Sequence, residues 1–205
     1  MFSPYYDKLG NFLGVDENGF KGDIYITTKE AFNASATDGI ANSMLLQANK
    51  ATRFIRDNPT NVLSLEAQSK IMTHILQDMS DINLSKLYNG EISVFEGTAN
   101  NGKINVGYND PANTGRMNFT DAPNGQFRIT AKTGELNSLG TVEAVKSYLG
   151  IHEYKSHGVL GIPGDENPIR HREAYRNQYN HWTYKFLSID QQTEIKNRMN
   201  GIYTW

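Results

Sequence analysis

Residues 150–182, GIHEYKSHGVLGIPGDENPIRHREAYRNQYNHW, hold four of the chain's five histidines, and the first two of these are five residues apart. That spacing constrains the backbone more than any other feature of the chain. The residues leading into it, GTVEAVKSYLG, keep a helical period in which Val142, Val145 and Leu149 share a face with either His152 or Glu153. On a regular α-helix, positions five apart point about 140° away from each other. His152 and His157 reach a common point only if the helix is distorted between them, by an inserted π-type turn or by an early end at Gly158.

A metal ion is the chemical reason for such convergence. Neutral imidazoles are good ligands, and a catalytic zinc takes three protein ligands and keeps one position open. Glu153 directly follows the first histidine, where a general base for an attacking water is wanted. His171 follows His157 by 14 residues, across the Gly- and Pro-containing loop VLGIPGDENP. The next segment, IRHREAYRNQYNHWTYKFL, reads as a helix whose buried face carries His171, Ala174, Tyr175, Gln178 and Trp182. His171 therefore points inward as the third ligand. Glu173 points about 200° from it and is the alternative if the helix begins later. Tyr175, Tyr179 and His181 are candidates for polarising a carbonyl or holding an oxyanion. The plainer role of Tyr175, Tyr179, Trp182 and Tyr184 is core packing. His152, His157, His171 and His181 also number the four ligands of a closed structural zinc site.

Composition narrows the classes. The 205 residues contain no cysteine, so there is neither a thiolate nucleophile nor a Cys-ligated zinc. A formal charge of −2 without a basic block gives no electrostatic footprint for nucleic acid. No apolar run approaches the roughly 20 residues of a membrane span. The opening MFSPYYDKLG lacks the basic-then-apolar layout of a signal peptide.

The periodicities predict an α+β chain. Residues 1–28 read as short strands with tight turns, forming a small β appendage ahead of a main unit at 29–205. Helices are expected from about Asp38 to Asp57 and from about Ser64 to Met79, the first ended by the proline at position 59. The runs GEISVFEG, GKINVGYN, GRMNFTD and GQFRITAK predict a small antiparallel meander. The histidine-bearing helix follows, and a last helix, SIDQQTEIKNRM, opens on a Ser188/Gln191 capping box.

HEYKSHG, followed by a short loop and a His/Glu/Tyr helix, resembles the zincin-type zinc metallopeptidases, in the H-E-x-x-x-H form of dipeptidyl peptidases of the third class. The resemblance implies a zincin-like fold, Zn²⁺ on His152 and His157, Glu153 as catalytic base, and a sheet edge such as QFRITAK or GRMNFTD that takes a protein or peptide substrate as an added strand. Those enzymes draw their third ligand, a Glu, from a distant helix, whereas this chain offers His171 or Glu173 nearby. The run YYDKLGNFLGVDENGFKGDIYITT resembles the junction that precedes C-terminal toxin domains in bacterial polymorphic toxins and secretion-system effectors. It makes residues 1–28 a toxin junction segment, and it implies a secreted domain delivered into a target cell, with a cognate immunity protein as partner. The combined expectation is a zinc-dependent amide hydrolase acting as an antibacterial toxin. The alternatives are a metal-dependent nuclease toxin and a non-catalytic module with a structural zinc.

Overall fold

The computed structural model describes residues 3–17, 19–48, 52–53, 63–95, 125–127, 129–132, 139–164 and 167–202. The fold is α+β. Strands β1 (Pro4–Tyr6), β2 (Phe12–Asp16), β3 (Tyr25–Ile26), β4 (Ala36–Thr37), β5 (Ile40–Ala41) and β6 (Thr52–Arg53) form one sheet in the order β4-β5-β2-β1-β3-β6. Helices α1 (Lys29–Ser35) and α2 (Ser43–Ala48) are interleaved with them. Helix α3 (Leu65–Gln77) leads to a second, two-stranded sheet of β7 (Ser93–Phe95) and β8 (Thr130–Lys132). The C-terminal part comprises α4 (Val142–Val145), a π-helix (Lys146–Val159), α5 (Pro168–Asn180), a 3₁₀ turn (Trp182–Phe186) and α6 (Ile189–Met199). Among the described residues no helix is long and apolar enough to cross a membrane.

The long helices follow their sequence signals. Ser64 caps α3 by accepting from the Ala67 amide, and Ile71, Met72, Ile75 and Leu76 are fully buried on one face. Each such side chain contributes roughly 1.5–3 kcal/mol when withdrawn from water. That face meets Val142, Val145, Leu149, Ile151 and Tyr154 in the main core. Tyr6, Ile24 and Ile26 enter the same core, so strands from within residues 1–28 pack with the helices that carry the histidines. The Ser188/Gln191 capping box forms at the start of α6.

Three expectations are corrected. Among the described residues, the helix foreseen over residues 38–57 is present only as α2, with strand β6 at Thr52–Arg53 and residues 49–51 outside the described set. Asp38 (φ 53°) and Gly39 (φ 79°) form a two-residue turn joining antiparallel β4 and β5, a hairpin chemistry that outweighs the helical spacing; residues 54–62 lie outside the described set. The small sheet expected to be antiparallel has its two described strands, β7 and β8, paired in parallel; the separate six-stranded sheet is mixed, with β1 parallel to β3 and β2 parallel to β5. Parallel neighbours need a long connection, and the 34 residues between Phe95 and Thr130 supply one where a meander was expected. The runs GKINVGYN and GRMNFTD lie outside the described residues. Finally, the helix carrying His171 stops at Asn180, where His181 becomes extended (φ −82°, ψ 147°).

Gly10 fixes how the sheet meets α3. Its φ of +78° lies in the left-handed region, and a Cβ there would sit 2.4 Å from the Ala67 carbonyl oxygen. Gly39 has nearly the same φ but nothing within 4 Å of a Cβ. Gly10→Ala is expected to lower the unfolding free energy by about 3 kcal/mol, combining backbone strain with overpacking, and Gly39→Ala by about 1 kcal/mol through strain alone. Urea denaturation of the two variants checks the difference.

Candidate metal centre

Thr141 starts the histidine-bearing segment by accepting from the Ala144 amide, and after four α-helical residues the backbone changes to the wider π form. A π-helix bonds i to i+5, so residues five apart stack above one another. Ser147, His152 and His157 fall on that period and form one buried stripe. The same period recurs where the Ser156 hydroxyl donates to the Ile151 carbonyl (2.8 Å) and where the Leu160 amide donates to Lys155 (3.0 Å). The distortion foreseen between the histidines thus extends well beyond them, from Lys146 to Val159, and ends past Gly158.

Neighbouring elements fit that backbone. Gly150 admits the end of α3 and the turn after it, because a Cβ there would meet Leu76 Cδ2 at 3.2 Å and Met79 Sδ at 2.6 Å. The Tyr154 hydroxyl donates to the Asn83 carbonyl (2.7 Å) and accepts from the Lys86 amide (3.0 Å). On the other side lies α5, started by Asn167, whose side chain accepts from Arg170, and by Pro168 in the first turn. His171, Ala174 and Gln178 are its buried face, with Tyr175 half-buried beside them.

His152, His157 and His171 meet there. Each offers a ring nitrogen, and the three nitrogens lie within 4.8 Å of one another. His152 Nε2 and His171 Nε2 are 3.1 Å apart, close to the roughly 3.3 Å between two nitrogens on a tetrahedral zinc. His157 donates from Nδ1 to the Ile162 carbonyl (2.6 Å), which fixes its tautomer and leaves Nε2 with a lone pair. All three rings are buried, so the trio can hold a metal ion. Burial, followed by the neighbouring His157 and His171, holds the His152 pKa well below the usual imidazole value, and this keeps it in the neutral, metal-ligating form.

The remaining candidates divide. Glu153 lies beside the trio, with Oε1 4.0 Å from His152 Nε2 and its side chain 13% exposed. The Tyr175 ring is 4.5 Å from the His152 ring and 4.9 Å from that of His171, centroid to centroid. Glu173 is exposed on the far side of α5 and is not part of the trio. His181 is placed elsewhere: its ring contacts Thr183 Oγ1 (2.8 Å) and Asp81 Oδ2 (2.6 Å), tying the end of α5 to the turn after α3. Tyr179 is 38% exposed, with its ring centroid 4.7 Å from that of Tyr184 and the two rings tilted by 53°. Sequence reasoning did not assign a role to Gln178, whose Oε1 is 2.7 Å from His152 Nδ1. The available signal was a polar residue on the buried face of α5.

Comparison with protein-family models, with curated proteins and with solved structures finds no match to this chain.

The buried imidazoles make stability depend on pH. His152, and His74 through its own burial, have folded pKa values below the ordinary value of about 6.5. Between those lowered values and 6.5 the unfolded chain binds protons that the folded chain does not, so stability falls as pH drops below about 6.5 and is level above it with respect to these groups. Thermal unfolding of metal-free protein is expected to show a falling Tm from pH 6.5 to 5, above the range in which carboxylates titrate. A Tm constant across that window would contradict neutral burial.

Proposed function

We propose that this chain is a zinc-dependent hydrolase of amide bonds, with His152, His157 and His171 as ligands and Glu153 as general base. The observation that carries the reading is the convergence of three buried imidazoles with a carboxylate 4.0 Å from one of the facing nitrogens. An all-imidazole donor set favours zinc over Mg²⁺ or Ca²⁺, which prefer oxygen ligands. When bound, zinc supplies Lewis acidity to an attacking water and to the scissile carbonyl. Glu153 takes the proton of that water and passes it to the leaving amine. Tyr175, against two of the ligand rings, is the residue we assign to the developing oxyanion.

The zincin-like reading of the fold rests on the order of elements: α3, a small sheet, the metal-binding helix, then α5 with the third ligand. Phe127, just ahead of β8, packs against Gly158 beside His157, so the segment entering β8 runs past the ligand helix. An extended peptide pairing with β8 suits this arrangement. The toxin reading, with delivery by a secretion system and an immunity partner, rests on the N-terminal junction motif. The structural-zinc alternative asks for a fourth ligand, and His181 is occupied with Asp81. A plasmid-nicking assay separates the nuclease alternative.

Two expected outcomes test the reading. His171→Ala should lose stoichiometric zinc by elemental analysis, and Glu173→Ala should keep it. Glu153→Gln should keep zinc and Tm while losing peptide hydrolysis by at least ~100-fold. If the domain is a toxin, that variant should be harmless when expressed in a susceptible cell. A Glu153→Gln protein with full activity would remove the proposed base.

A further inference from the structure

We infer that Gln178 is a positioning residue of the metal centre: anchored by Ser147, it holds His152 in the tautomer that presents Nε2 to the ion. The inference rests on the metal-binding reading above and adds a residue that touches no ion.

The amide orientation follows from its neighbours. One end of the Gln178 side chain faces Ser147, with Nε2 3.2 Å from the hydroxyl oxygen and 3.4 Å from the carbonyl oxygen. A carbonyl only accepts, so the NH₂ group belongs at that end. Oε1 then faces His152 Nδ1 at 2.7 Å. Oε1 also only accepts, so Nδ1 carries the hydrogen and the neutral ring keeps its lone pair on Nε2. Nε2 is the atom 3.1 Å from His171 Nε2 and 4.0 Å from Glu153 Oε1. Ser147 and Gln178 are both fully buried, so water does not compete for these contacts.

The backbone explains why one amide serves both partners. Ser147 and His152 are five apart on a π-helix and stack, so a side chain from α5 can bridge them. Gln178 is seven residues beyond His171 on α5, two turns along the same face. A single glutamine thereby sets the register of one ligand-bearing helix against the other. Partners of this kind fix ring orientation, and their loss typically weakens metal binding about 10–100-fold.

The test compares wild type with Gln178→Met, which keeps side-chain length but offers Nδ1–H only a weak thioether acceptor, and with Ser147→Ala, which leaves the glutamine in place but loosens its anchor. Zinc affinity is measured by competition with a chromophoric chelator. The His152 tautomer is read by ¹⁵N NMR on metal-free protein. Gln178→Met is expected to bind zinc about 10–100-fold more weakly and to lose the pure Nδ1–H tautomer. Ser147→Ala, the milder change, should move both readouts in the same direction by less. Affinity within about two-fold of wild type, or a His152 that stays purely Nδ1–H in Gln178→Met, would overturn the proposal. If wild type takes up no zinc, the metal reading itself fails, and the tautomer in metal-free protein still decides the role of Gln178.

Discussion

The i→i+5 hydrogen bonding of the helix Lys146–Val159 determines where His152 and His157 point. On an α-helical backbone, residues five apart diverge by about 140°, and His152 and His157 would face different neighbours. On the π backbone they stack, together with Ser147, into one stripe against α5. The third candidate ligand, the half-buried tyrosine and the bridging glutamine then follow from ordinary α-helical spacing on α5, at His171, Tyr175 and Gln178. The site is thus the meeting of two helical periods.

A long π-helix is uncommon, because its ladder is less favourable than the α form, and its surroundings supply what the ladder lacks. On the apolar side, Leu149, Ile151 and Tyr154 are buried against the core, and the bare backbone at Gly150 lets Met79 close in. At its start, Lys146 is buried with Nζ against Asp78 and over the rings of Phe20 and Trp182. On the polar side, Asn177 donates to the Ser156 hydroxyl (3.0 Å) while Gln178 spans Ser147 and His152. Three imidazoles buried together withdraw polar atoms from water, and their outer nitrogens are met by protein acceptors at His152 and His157. The convergent inner nitrogens are the part of this arrangement for which a metal ion gives the simplest chemical use.

Much of this was legible from local sequence. The apolar period of α3, the Ser188/Gln191 capping box and the inward face of α5 are signals carried within a dozen residues. The five-residue histidine spacing demanded a distorted helix, and the distortion is there. Its extent was not legible, since the long π register depends on contacts from α3 and α5 that local periodicity does not encode. The same limit applies to the parallel β7–β8 pair, whose strands are separated by 34 residues of chain. Asp38-Gly39 was a local signal, a hairpin turn overshadowed by an apparent helical period from Ile40 onward. His181 looked like a site residue because it lay in the cluster, but the change of backbone after Asn180 directs it to Asp81.

Zinc K-edge X-ray absorption of the zinc-loaded protein addresses the convergence of the three histidines most directly. Expected is a first shell containing three imidazole nitrogens at about 2.0–2.1 Å, falling to two in His157→Ala, because His157 is one of the two ligands that the π stripe supplies. A shell dominated by oxygen, or a spectrum unchanged by His157→Ala, would mean that the stripe does not hold the metal.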